Sequence, residues 1–227
     1  MANMQMNKTP MKEQDPNVRN ANFLEVALGY TLDEAVNEAK RCIHCKNPAC
    51  VTGCPVGIPI PDFLAKVAEG DIAAAYEILS NISGRVCPQE NQCEGKCVLG
   101  IKGEPVAIGR VERFVADWAA EHGVSNLAAA PANGHKVAVI GSGPAGLTCA
   151  YFSALLGHTV DVFEASPVAG GVPRQAIPDF RLPKAAVDRE VGLVLGLGVN
   201  ILTNTAVGRD ISLASLLEHY DACLIAA

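Results

Sequence analysis

Seven of the nine cysteines in this chain fall between residues 42 and 97. Cys42, Cys45, Cys50 and Cys54 are spaced C-x2-C-x4-C-x3-C, with Pro55 directly after them, and Cys87, Cys93 and Cys97 are spaced C-x5-C-x3-C. The first run is filled with Pro48, Gly53, Pro55, Gly57, Pro59 and Pro61, so it reads as an irregular loop in an otherwise helical stretch. Residues 1–19 are polar and lack the apolar core of a secretory signal. The longest apolar stretch, residues 191–202, is interrupted by three glycines and an asparagine and is too short to span a bilayer. A cytoplasmic location is expected. Thiols stay reduced there, so clustered cysteines read as metal ligands before disulfides.

Iron–sulfur clusters need several thiolates converging from turn-rich loops. In the bacterial ferredoxin run the last cysteine, just before a proline, ligates the other cluster. Cys54-Pro55 repeats that ending, which makes crossed ligation plausible. Structural zinc fits less well. Four-cysteine zinc sites pair two C-x2-C knuckles, the second group has none, and seven cysteines do not divide into two fours. Two four-iron clusters would lack one ligand, for which Glu112 and His44 are the candidates. Cys149 and Cys223 lie in an apolar helix and an apolar strand and read as core residues.

With 49% hydrophobic and 19% charged residues, the 227-residue chain can bury a core in one or two domains. Its net charge is −6 and it has no basic cluster, which argues against nucleic-acid binding. Residues 1–22 read as a flexible lead and 23–123 as a small helical domain pinned by its cysteines. Residues 124–135 read as a linker, and 136–227 as an α/β domain. Thr31-Leu-Asp-Glu34 is a capping box, and residues 108–122 form an amphipathic helix with Ile108, Val111, Phe114, Val115 and Trp118 on one face. Beyond the linker, strands at 136–140, 159–163, 199–202 and 222–226 alternate with helices at 144–156, 182–197 and 213–219. That alternation predicts a doubly wound parallel sheet. The chain stops on its last apolar strand, and we read it as the N-terminal portion of a longer protein.

Gly141-Ser-Gly143-Pro-Ala-Gly146 follows the first strand of that domain and opens a helix, the context a dinucleotide fingerprint requires. Gly141 permits the turn, Gly143 the approach of a pyrophosphate, and Gly146 close helix–strand packing. Glu164 ends the second strand 18 residues after Gly146, where a carboxylate accepts a ribose hydroxyl and disfavours a 2′-phosphate. Arg174, Arg181 and Lys184 flank the turns beyond it, within reach of a cofactor or as a solvated basic edge.

The constellation as a whole resembles the glutamate synthase small (β) subunit family. That family includes the N-terminal part of dihydropyrimidine dehydrogenase and the large subunit of the NADH-dependent ferredoxin:NADP oxidoreductase. The resemblance runs from about residue 23 to the end. It rests on the two cysteine groups, G-R-V-C-P at 84–88, A-I-G-R-V-E-R-F at 107–114, G-S-G-P-A-G, E-x5-G-G and P-D-F-R-L-P-K at 178–184. It implies a helical domain with two [4Fe-4S] clusters followed by a Rossmann-like FAD-binding domain. Cys42, Cys45, Cys50 and Cys97 would hold one cluster. Cys54, Cys87, Cys93 and Glu112 would hold the other.

By the same resemblance, FAD would lie on Gly141, Ser142, Gly143, Pro144, Ala145 and Gly146, with Glu164 on its ribose. Gly170, Gly171, Val172 and Arg181 would lie near the rest of it. Electrons would pass from NAD(P)H through FAD and the clusters to a partner subunit, either an amidotransferase/FMN large subunit or a ferredoxin-type flavoprotein. No second fingerprint for NAD(P)H follows, because Gly196-Leu-Gly198 precedes a strand rather than following one. The chain alone is therefore expected to be inactive with NAD(P)H. From other classes, it would be an electron-transfer module without flavin, or a zinc module that docks a partner.

Overall fold

The computed structural model describes residues 3–79, 85–124 and 128–227. The chain divides into two compact units, Met1–Asn22 with Val26–Asn126, and Phe23–Glu25 with Leu127–Ala227. Among the described residues, no helix is long and apolar enough to cross a membrane.

The first unit is helical. A two-strand antiparallel pair, β1 (Lys12–Glu13) and β2 (Ala27–Gly29), flanks the short α1 (Pro16–Arg19). Then come α2 (Leu32–Ala39), α3 (Ala49–Thr52), α4 (Ile60–Glu69) and α5 (Ile72–Leu79). Three short 3-10 turns, Gln89–Asn91, Glu94–Lys96 and Val98–Ile101, lead into α6 (Ile108–Glu121). The capping box forms as expected. Glu34 N donates to Thr31 Oγ1 at 3.3 Å, and Thr31 N donates to Glu34 Oε2 at 2.8 Å. Gly70 ends α4 in the left-handed conformation and turns the chain into α5. Phe63, Leu64 and Val67 of α4 pack with Ala75 and Leu79 of α5, Val111 and Val115 of α6, and Ala35 and Ala39 of α2. Residue 80, and Gly84 of the G-R-V-C-P motif, lie outside the described residues.

The lead, expected to be flexible, is tied to this unit. Asn3 N donates to Lys40 O, and Thr9 N donates to Glu38 Oε2 at 2.6 Å. The tie is made by a buried ion pair. Arg41 and Glu38 are 1% and 0% exposed. Arg41 also donates to the carbonyls of Gln5, Met6, Glu104 and Pro105, while Glu38 Oε1 accepts from Ala107 N. A buried pair persists when its remaining donors and acceptors are satisfied, and here main-chain groups of the lead and of the 104–107 segment satisfy them.

The second unit is α/β. Its elements are β3 (Lys136–Ile140), α7 (Pro144–Leu155), β4 (Thr159–Phe163), α8 (Gly171–Gln175), α9 (Lys184–Gly196), β5 (Asn200–Leu202), α10 (Leu213–His219) and β6 (Ala222–Ile225). The sheet order is β5-β4-β3-β6, and every pairing is parallel. Val139, Val160 and Val162 pack with Ala150 and Ala154 of α7 and Val194 of α9. The alternate residues Ala138 and Phe163 pack with Leu216 of α10. Both faces are covered, as a parallel sheet requires. The chain runs from β3 outward to β4 and β5, and later returns to the other side of β3 as β6. The loop after β3 therefore lies at the topological switch point, where such sheets bind ligands.

Candidate functional site

The cysteines of the first unit fall into two neighbourhoods. Cys42 follows the end of α2, Cys50 lies in α3, and Cys54 follows α3. Cys93 and Cys97 flank the second 3-10 turn. Burial raises the thiol pKa of Cys42 and of Cys50, the latter to about 11, and the nearby Cys97 raises both further. Cys45 also acts on Cys42, and Cys42 on Cys50. These four line one cavity together with Ile60, Leu64, Val106 and Ile108. In the other neighbourhood, burial raises Cys87, and raises Cys93 to about 12. Cys54 and Glu112 act on both of these thiols. Glu112, 6% exposed, is pushed up to about 7 by burial first and by the Glu94 carboxylate second.

The grouping is crossed. Cys54, last of the first run, sits with Cys87, Cys93 and Glu112, while Cys97, last of the second group, sits with the first three. Two glycines let the loops close on one another. A Cβ on Gly53 would stand 3.0 Å from Gln92 O, and one on Gly95 would stand 2.6 Å from Glu90 O. The main chain also points at sulfur, because backbone donors from His44 and from Glu94 act on Cys42 and Cys93. The His44 side chain is exposed, with φ at +48°, and belongs to neither group. Cys149 and Cys223 pack against separate apolar clusters of the second unit. Among the described residues, no three His, Cys, Asp or Glu side chains converge on the point a single metal ion would take.

The second candidate site is the cleft over the glycine loop. Gly141 has φ +101°, and a Cβ there would stand 2.6 Å from Ala226 O. A Cβ on Gly146 would stand 2.0 Å from Gly141 O, so helix and loop touch through that hydrogen. Gly143 differs, since its Cβ would meet nothing within 4 Å. That open space lies at the N-cap of α7, where unpaired amides and the helix dipole favour an anion. Gly170 and Gly171 both have positive φ, and a Cβ on Gly171 would stand 2.6 Å from Gly143 Cα. The E-x5-G-G glycines thus let a second turn press against the first.

Glu164 is 7% exposed and fixes the loop's shape. Its Oε2 accepts from Ser142 N at 2.9 Å and from Ser142 Oγ, and its Oε1 accepts from Ser166 N at 2.7 Å. Burial opposes the charge, but these hydrogen bonds outweigh it and hold the carboxyl below its ordinary range. Gly141, Ser142, Gly143, Pro144, Ala145, Glu164, Gly171 and Val172 all line the cleft. Gly146 is buried beneath it, and Gly170 N donates to Ser142 O at 3.1 Å. Arg181 is exposed and lies outside the lining. Arg174 is paired with Asp188 at 2.9 Å, and Lys184 donates to Ile177 O.

Some lining and neighbouring residues escape a reading of the sequence. Thr205, Ala206 and Val207 border the cleft from the turn after β5, which carries no motif. Glu94 reads as an ordinary loop acid, and only the fold buries it beside Glu112.

Comparison with known proteins agrees with this division. The family description "dihydropyrimidine dehydrogenase domain II, 4Fe-4S cluster" matches residues 19–124, and "NAD(P)-binding Rossmann-like domain" matches residues 139–205. The glutamate synthase [NADPH] small chain of Escherichia coli is 38% identical over 96% of this chain and 47% of its own length. The NAD-dependent dihydropyrimidine dehydrogenase subunit PreT of Salmonella typhimurium is 34% identical over 90% of this chain and 51% of its own. The glutamate synthase [NADH] of Saccharomyces cerevisiae is 36% identical over 94% of this chain and 10% of its own. A solved amine oxidase from Pseudomonas geniculata overlaps with a TM-score of 0.36 at 20% identity, covering 74% of this chain and 27% of its own. The chain spans about half the length of the small chain and PreT relatives it matches. The chain is similar to glutamate synthase small chains over nearly its whole length, and it carries a 4Fe-4S domain followed by an NAD(P)-binding Rossmann-like domain.

Proposed function

We propose that this chain is the cluster-bearing and flavin-binding part of an NAD(P)H-dependent oxidoreductase that delivers electrons to a partner subunit, as in glutamate synthase. The crossed grouping of seven thiols and one buried carboxyl carries the reading. Each group offers four donors, one for each iron of a [4Fe-4S] cluster. The raised proton affinities of Cys42, Cys50, Cys87, Cys93 and Glu112 are those of donors held in apolar surroundings, where a polycationic core displaces the protons. In this reading Cys42, Cys45, Cys50 and Cys97 hold one cluster, and Cys54, Cys87, Cys93 and Glu112 hold the other. His44 holds neither.

The cleft over Gly143 suits the pyrophosphate of FAD. The glycines admit it, the amides at the start of α7 bind it, and Glu164 holds the loop while retaining acceptor capacity toward a ribose hydroxyl. Bound clusters would supply single-electron transfer, and bound flavin would accept a hydride. The residues present supply binding, orientation and local charge. NAD(P)H itself, the electron-accepting subunit and a cytoplasmic location are part of the proposal by kinship with the small-chain relatives.

The test is the content of iron, zinc, acid-labile sulfide and flavin in anaerobically purified protein. About eight irons and eight sulfides per chain, with flavin released on denaturation, are expected. Iron and sulfide without flavin would reduce the chain to an electron-transfer module. Zinc without sulfide would overturn the cluster reading.

A further inference from the structure

Glu94 follows Cys93 directly and is buried, its side chain 8% exposed. Its Oε1 accepts from Gly109 N at 3.1 Å, in the first turn of α6 and three residues before Glu112. Its Oε2 is paired with Lys8 Nζ, whose side chain is 19% exposed. Lys8 is itself held in place. Its N–H donates to Glu104 Oε2 at 2.8 Å, and the N–H of the next residue, Thr9, donates to the buried Glu38. The Glu94 carboxylate is close enough to push up both Cys93 and Glu112. A fixed negative charge thus stands beside the Cys54, Cys87, Cys93 and Glu112 group, with a fixed cation behind it.

One-electron reduction of a cluster adds one negative charge at the site. A neighbouring carboxylate opposes that charge, an ammonium favours it, and burial makes both effects stronger than at a surface. We infer that Glu94 and Lys8 form a charge pair that sets the reduction potential of this cluster, Glu94 lowering it and Lys8 restoring it. Both act through space and through the placement of Cys93 and α6, and neither is a ligand. The inference rests on the cluster reading above.

The test is an EPR-monitored redox titration of the full chain with titanium(III) citrate as reductant, alongside iron counts and thermal unfolding. The relevant cluster is identified by its loss in Cys93→Ser. Lys8→Met is expected to shift its potential to a more negative value. Glu94→Gln, which keeps an oxygen for Gly109 N–H, is expected to shift it the opposite way. The double variant should return close to the parent value, and the other cluster should move little throughout. If Lys8→Met loses iron, Lys8→Arg must recover both the iron and the parent potential, and its failure to do so overturns the inference. Variants that hold eight irons with unmoved potentials overturn the inference alone, as does an equal shift of both clusters. A parent protein without iron and sulfide overturns the cluster reading and this inference with it.

Discussion

Glu38 and Arg41 meet at 2.6 Å with neither side chain exposed, and the next residue in the chain is Cys42. The pair fastens the lead and the 104–107 segment to the end of α2, so it fixes where the first cysteine loop begins. Removing one partner leaves a buried charge without its counter-ion. Arg41→Met or Glu38→Leu is expected to cost about 3–5 kcal/mol in urea unfolding. The double variant should cost less than either single change, because the uncompensated charge is gone.

The glycines of the cleft should separate folding from binding. At Gly146 a Cβ would stand 2.0 Å from a backbone oxygen, so Gly146→Ala should lower the melting temperature and abolish flavin retention. At Gly143 a Cβ meets nothing within 4 Å, so Gly143→Ala should melt with the parent yet retain less flavin. Equal melting losses in the two variants would count against the cleft as the cofactor's seat.

Glu164 gives the second unit an acid limit. Its folded pKa lies below the ordinary value because the Ser142 and Ser166 hydrogen bonds outweigh the effect of burial. A depressed carboxyl contributes stability that is fully present above its unfolded pKa, roughly 4.3 for glutamate. That contribution is lost as pH falls through the folded pKa. Glu164→Gln should therefore lower stability at neutral pH and flatten its decline in acid. Unfolding curves of the two proteins from pH 7 to pH 3 check this, and parallel declines would contradict it.

Crossed grouping makes a pairwise prediction about cluster loss. Cys54→Ser and Cys93→Ser should remove the same EPR signal, although Cys54 lies in the first run. Cys97→Ser and Cys42→Ser should remove the other. Grouping by sequence run would give the reverse association for Cys54 and Cys97.

Spacing and turn residues make the helical domain and the doubly wound sheet legible in the sequence. The strands of the second unit were visible because Val137, Val139, Val160 and Val162 belong to short apolar runs bounded by glycine turns. The fastened lead was not visible. Residues 3–9 are polar and carry no periodicity, and their order comes from main-chain groups meeting Arg41 and Glu38, partners distant in sequence. Arg181 is the opposite case. Its motif was conspicuous, but the fold leaves the side chain exposed and outside the cleft lining. Thr205 to Val207 went unread because they contribute to the cleft through position alone.

Diffraction from the anaerobic protein at the iron absorption edge tests the central claim most directly. The account predicts two separate four-iron positions, one bounded by Cys42, Cys45, Cys50 and Cys97, the other by Cys54, Cys87, Cys93 and Glu112. A single position, a zinc edge in place of iron, or a Glu112 carboxylate turned away from the metal would contradict it.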